Sequence, residues 1–316
     1  MGWGRAYFAA QAVLGAAWWV AVFTVPLVRT LTLGGIDPAL MALLDIPLFV
    51  GTSAVAAFGV RWAAAAATGW TLLVTVALAT YATVTREAGA GVVLMSGAAA
   101  SSVVAFFLVR DGRVPTELLL RGPFRFREAD AAAPVRRHVV TTGIQLVLFW
   151  GATLGVVPLV IVWLERRWQL AIWLGAPTVL FGVALFAAAS ALGIWSAAVM
   201  STKGRGTPLP SDTATRLVVA GPYRFVRNPM AVAGITQGIA VGMMLSSWLV
   251  IAYAVCGSLV WNYAIRPHEE RDLEQRFGAA FVDYRRRVRC WVPRLRSPAH
   301  AGAPHSAERT HRRHSA

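Results

Sequence analysis

An all-α, polytopic bundle that crosses a membrane about eight times is the fold this sequence predicts, and three observations carry it. Of 316 residues, 57% are apolar and 14% charged, whereas soluble domains hold roughly 45–50% and about 25%. A mean hydropathy of +0.56 excludes a disordered or fibrous chain. Finally, the apolar residues fall into long runs of span length, about 20 residues each.

Taken in order, the runs are Tyr7 to Val28, Ala39 to Val60, Trp62 to Val84, Ala90 to Val109, Val139 to Leu164 and Leu170 to Met200. Met230 to Ile265 is too long for one span and long enough for two short helices, with a tight turn near Leu245, Ser246 and Ser247. The first run resembles a signal peptide in its apolarity. It lacks a convincing small-residue cleavage site and is followed by further spans, so it is read as a retained helix.

Charge placement supplies the topology. Lys and Arg number 30 against 15 acidic residues, a net charge of +15. The arginines lie between the spans and in the last fifty residues, where they suit anionic headgroups rather than nucleic acid. Counting alternate loops puts 26 basic residues on one side and only Arg29, Arg86, Arg166 and Arg167 on the other. Under the positive-inside rule, both termini, the 201–229 loop and the C-terminal tail are expected in the cytoplasm of a multi-pass cell-membrane protein.

Four regions follow from this layout: a four-helix transmembrane region over 1–110, a charged connector over 111–138, a second membrane domain over 139–296, and a basic tail over 297–316 expected to be disordered. Gly122-Pro-Phe-Arg-Phe126 echoes Gly221-Pro-Tyr-Arg-Phe225 as a possible internal repeat. Cys256 and Cys290 are the only cysteines, which excludes a disulfide framework or a cysteine-based metal site, and no metal is expected.

Three polar clusters edge the last hairpin: Gly204 to Asp212, Arg216 to Met230, and Arg266 to Leu273 followed by Phe277-Gly278, Tyr284 and Val288 to Pro293. The hairpin must bring the second and third together, and the chain break at Pro229 frees backbone groups for a ligand. The order Gly-Thr-Pro-x-Pro, Leu-Val-x-x-Gly-Pro-Tyr-Arg-x-Val-Arg-Asn-Pro-Met, an apolar hairpin, then Glu-Glu-x-x-Leu-x-x-x-Phe-Gly resembles the isoprenylcysteine carboxyl methyltransferase and phospholipid methyltransferase group of integral membrane enzymes. The resemblance covers Gly206 to Pro293.

That resemblance implies S-adenosylmethionine as cofactor and a lipophilic acceptor, a carboxylate, an amine or similar, reached from the bilayer. By position, Arg216, Leu217, Val218, Tyr223, Asn228, Pro229, Met230 and Ala231 would line the cofactor pocket, and Glu269 would bind its polar end. Arg266 lies near the position from which an arginine reaches the acceptor, and Glu269 or Glu270 could help an amine shed its proton. Three positions depart from the family pattern: Asn228 replaces the usual His, Ala231 the usual Tyr, and Phe281 a frequent Tyr. Membrane sterol-type reductases that bind NADPH share a similar C-terminal pattern, and a non-catalytic membrane binding protein is a third reading. The Gly-Thr-Pro-x-Pro and Arg-Asn-Pro-Met forms favour the methyltransferase.

Simpler roles compete for several residues. Arg224 and Arg227 could anchor headgroups at a helix start, Glu269 and Glu270 could be solvated first-turn acids, and His268 reads as a surface residue. Asp45, inside an apolar run, marks either a cavity or a polar contact between helices. Gln237 and Asn262 read as packing contacts within the membrane.

Overall fold

The computed structural model describes residues 2–120, 134–205 and 214–293. Among these the chain is all-helical. Ten helices follow one another: α1 (Trp3–Thr24), α2 (Pro26–Leu33), α3 (Pro38–Ala56), α4 (Arg61–Thr85), α5 (Gly89–Asp111), α6 (Val135–Arg167), α7 (Ala176–Gly204), α8 (Pro229–Met244), α9 (Trp248–Phe277) and α10 (Ala279–Arg287). Seven of them, α1, α3 to α7 and α9, are long and apolar enough to cross a membrane, and α8 is a shorter apolar partner. The protein is a multi-pass integral membrane protein.

Prolines and caps set the boundaries. Asp37 Oδ1 accepts from the Leu40 amide at 2.8 Å, so α3 begins at Pro38 with its first turn satisfied. The first run does not continue to Val28 as one helix. It breaks at Val25, whose extended conformation is what a residue before proline adopts. Likewise the run from Leu170 becomes helical only at Ala176, after Gly175. The expected hairpin is present: α8 ends at Met244, and Ser247 caps α9 by accepting from the Val250 amide at 3.2 Å. Glu165 of α6, 1% exposed, accepts from the Ser247 hydroxyl and so holds the hairpin tip.

Much of the packing uses small residues, as close helix contacts in lipid require. In the first part, Ala56, Ala63, Ala64, Ala67 and Ala105 surround Phe8. In the second, α8 lies between α7 and α9; a Cβ added at Gly182 of α7 would stand 2.9 Å from Met243 Cβ and 3.0 Å from the Ala240 carbonyl. Outward-facing leucines and valines such as Leu43, Val147 and Leu180 are exposed, as a lipid-facing surface should be.

Several polar groups inside the bundle find partners, although Trp18 Nε1, Glu165 Oε1 and Gln237 Oε1 have none among the described residues. Asp45, 5% exposed, accepts Trp19 Nε1–H at 2.9 Å and Trp70 Nε1–H at 2.7 Å, so it makes a contact between helices. Gln11 bridges Ser53 at 3.1 Å and Ser102 at 2.8 Å. Gln237 donates to Ser190 Oγ at 2.9 Å and Asn262 accepts from Trp291 Nε1 at 3.0 Å, in line with packing roles.

α9 is 30 residues long, about 45 Å at 1.5 Å per residue, more than a bilayer's hydrocarbon core needs. Its apolar part ends at Ile265 with a π-helical turn, Trp261–Ile265. Arg266–Phe277 then carries Arg, His, Glu and Asp side chains and extends beyond the membrane. The suggested repeat at Gly122 and the 297–316 tail lie outside the described residues, as does most of the Gly204 to Asp212 cluster.

Candidate active site

Three segments converge at one end of the bundle: residues 216–230, the charged extension of α9, and α10 with the stretch after it. Gly278 joins α9 to α10 with φ +52, a left-handed turn that glycine makes without penalty. The chain therefore doubles back, and α10 presents Phe281 and Tyr284, three residues apart, on one buried face with Leu217, Leu273 and Phe277.

Arg227 ties these segments together. Its Nη2 donates to Glu270 Oε1 at 2.7 Å, its Nη1 to the Val288 carbonyl at 2.8 Å and the Arg285 carbonyl at 3.2 Å, and its backbone amide to the Arg289 carbonyl at 3.0 Å. With its side chain only 15% exposed, Arg227 is a structural clamp and not a headgroup anchor; Arg224, which is exposed, suits that role better. Beside it, Tyr284 Oη donates to the Tyr223 carbonyl at 2.7 Å. Burial raises the phenol pKa of both Tyr223 and Tyr284, and the nearby Glu269 charge raises that of Tyr223 further.

Next to the clamp is a small, partly open cleft of about 30 Å³, well below the roughly 300–1,000 Å³ typical of ligand sites. Asn228, Arg266, Glu269 and Glu270 line it with Trp261 and Cys290, so the hairpin brings together four of the residues the sequence singled out. Asn228 caps α8: its Oδ1 accepts from the Ala231 amide at 3.0 Å, with Pro229 buried in the first turn. Its Nδ2 faces Glu269 at 3.4 Å from each carboxylate oxygen.

Glu269 and Glu270 are adjacent but differ in occupation. Glu270 is consumed by Arg227. Glu269 has only the long contacts to Asn228, and burial, reinforced by the charges of Glu270 and Asp272, raises its carboxyl to about 7 despite Arg266 and Asn228. Burial also raises the Cys290 thiol, against the pull of a hydrogen bond to Arg266. Tyr223 is buried with its hydroxyl unpartnered.

The remaining sequence candidates do not line the cleft. Arg216 is exposed, Leu217 packs on the Phe281 and Tyr284 cluster, and Val218 is buried against Gly204. Met230 and Ala231 are half-buried in the first turn of α8. His268 is not a free surface group, because it hydrogen-bonds Thr116 Oγ1 at 2.8 Å and Arg271 Nη2 at 2.9 Å. Sequence reasoning missed Arg227 as a clamp and Trp261 as part of the lining, whereas Leu273, Tyr284 and Cys290 fell within the third polar cluster it marked but were given no role.

Residues 177–280 match the phospholipid methyltransferase family. A 91-residue stretch is 35% identical to Methanethiol S-methyltransferase 2 of Bradyrhizobium diazoefficiens, covering 26% of this chain and 34% of that protein. The chain thus matches about a third of that relative's length. No solved structure matches. The family match takes in Arg227, Asn228, Arg266, Glu269 and Glu270, so most of the cleft's lining falls on the matched segment, while Phe281, Tyr284 and Cys290 of its wall and α1 to α5 lie outside it.

Proposed function

We propose that the protein transfers a methyl group from S-adenosylmethionine to a lipophilic nucleophile that reaches the cleft from the bilayer. The observation that carries this reading is Glu269, a half-buried carboxylate with no ion-pair partner among the described residues, facing a cleft beside Arg266. A buried charge of this kind is costly unless paired, and the ammonium of an amino-acid ligand is a suitable partner. The unpartnered Tyr223 hydroxyl adds a buried polar group to the same neighbourhood.

Bound there, the cofactor would supply a methyl group on a sulfonium, already activated toward displacement. The protein's own part is then to position and to exclude water. In this reading Glu269 and Asn228 hold the amino-acid end, the Arg216 to Val218 stretch and Tyr223 flank the remainder, and Arg266 orients an anionic acceptor. Glu270 positions through Arg227, rather than serving as a catalytic base as the sequence suggested. The clamp leaves Glu269 as the free acid of the pair.

The relative's printed substrate, methanethiol, extends the acceptor class from carboxylates and amines to small thiols. The four-helix region over 1–110 and the domain over 139–296 are proposed as separate units, with the cleft facing the cytoplasm. Isothermal titration of the detergent-solubilised protein tests the reading: heat with S-adenosylmethionine supports it, and heat with NADPH alone would favour the reductase.

A further inference from the structure

At the opposite end of the spans from the candidate active site, a second cleft of about 400 Å³ opens where the first five helices meet the rest. Its walls come from both sides of this seam: the α2–α3 and α4–α5 turns on one, and residues 168–170 on the other. The seam is tight beside it. Trp168 Nε1 donates to Thr83 Oγ1 at 3.0 Å and Arg167 Nε to the Thr83 carbonyl at 2.6 Å. A Cβ added at Gly89 would stand 2.0 Å from the Trp168 carbonyl, which admits only glycine there.

Two opposite charges are adjacent in this cleft. Arg86 is exposed and makes no side-chain hydrogen bond among the described residues. Glu87 accepts the Gly35 amide at 2.8 Å and Tyr81 Oη–H at 2.7 Å, both on Oε2, which leaves Oε1 for another donor. Those bonds lower the Glu87 carboxyl pKa and keep it ionised. Leu31 and Leu170 supply apolar wall. The helices end at Thr85, Gly89 and Arg167, so the cleft lies at the level where hydrocarbon gives way to water.

We propose that this cleft binds a zwitterion carrying a phosphodiester and an ammonium group, the headgroup chemistry of a neutral phospholipid. Arg86 takes the phosphate, Glu87 Oε1 and the Trp168 ring face the ammonium, and Leu31 and Leu170 line the first carbons of an acyl chain. The ligand is held at the seam, a membrane's thickness away from the candidate methyl-transfer cleft. The proposal does not depend on the enzymatic reading.

Calorimetry on the full-length protein in maltoside detergent tests it with three probes: dihexanoylphosphatidylcholine below its micellar concentration, dihexanoylphosphatidylglycerol, and glycerophosphocholine. Saturable binding of the first, at least fivefold tighter than the second, is expected. Arg86→Ala and Glu87→Gln should each weaken it at least fivefold. Binding of glycerophosphocholine as tight as the lipid assigns the site to a soluble zwitterion, and preference for the acylated probe assigns it to lipid. Because Glu87→Gln could loosen the Gly35 turn, Arg86→Ala is the deciding variant, with S-adenosylmethionine affinity and melting temperature as controls. Equal affinity for the two lipids, together with no effect of Arg86→Ala, overturns the proposal.

Discussion

Asn228 serves two elements at once: its Oδ1 caps α8 through the Ala231 amide, and its Nδ2 stands 3.4 Å from both carboxylate oxygens of Glu269. The residue that starts one arm of the hairpin therefore also aims the acid carried by the other. Asn228→Ala should cost about 1 kcal/mol of stability through the lost cap and weaken S-adenosylmethionine binding by roughly 1–3 kcal/mol. Asn228→Asp keeps an acceptor for the cap but sets a like charge against Glu269, so it should melt near the parent temperature and still bind cofactor poorly. Melting curves and titration of the two variants separate capping from ligand binding.

Glu269→Gln should lower cofactor affinity by a similar 1–3 kcal/mol, the size of a charge-assisted bond. Combined with Asn228→Ala, its effect should be non-additive, because both side chains act on one ligand. Additive losses in a double-mutant cycle would place the two in separate sites.

The raised Glu269 carboxyl gives a pH signature. An ammonium ligand prefers the ionised carboxylate, so below about 7 binding must expel a proton. Affinity should fall about tenfold from pH 8 to pH 6, and Glu269→Gln should flatten the profile. Without ligand the sign reverses. The folded protein holds this proton more tightly than an ordinary carboxyl at 4.5, so the group's stabilising contribution is full at low pH and is lost as pH rises through about 7. Calorimetry at several pH values checks both directions.

Removing the clamp should be costly. Arg227→Ala leaves the half-buried Glu270 and two carbonyls without their donor, a loss of about 3–5 kcal/mol for a broken buried pair, discounted to roughly 2–3 for the 22% exposure of the Glu270 side chain. Arg227→Lys should recover only part of this, because one ammonium cannot reach three acceptors in a planar fork. Thermal unfolding in a single detergent provides the comparison.

In the first part of the chain, Asp45→Asn tests the paired indoles. An amide offers one oxygen where the carboxylate offers two, so either Trp19 or Trp70 loses its acceptor. The expected cost is about 1–3 kcal/mol, with cofactor affinity unchanged. Tryptophan fluorescence during unfolding, alongside the titration, reads both.

Spans were legible because their cause, apolar run length, is local; the caps at Asp37, Asn228 and Ser247 are equally local but leave no mark in hydropathy. Asn228 and Glu269 were legible as a pair because a hairpin with a short turn forces its two ends together. Arg227 was not, since its acceptors at 285 and 288 arrive only when the chain reverses at Gly278. The same holds for Asp45, an anomaly by itself whose two indole donors lie on other helices. The break at Val25 was in plain view at Pro26, but hydropathy alone bridges a proline.

Side-chain bonds join the first five helices to the rest at two places among the described residues: Thr83 with Arg167 and Trp168 at one end of the spans, and Thr116 with His268 at the other. The first part is thus fastened to the second at both ends of the spans, and one of the two fastenings, His268, is the immediate neighbour of Glu269.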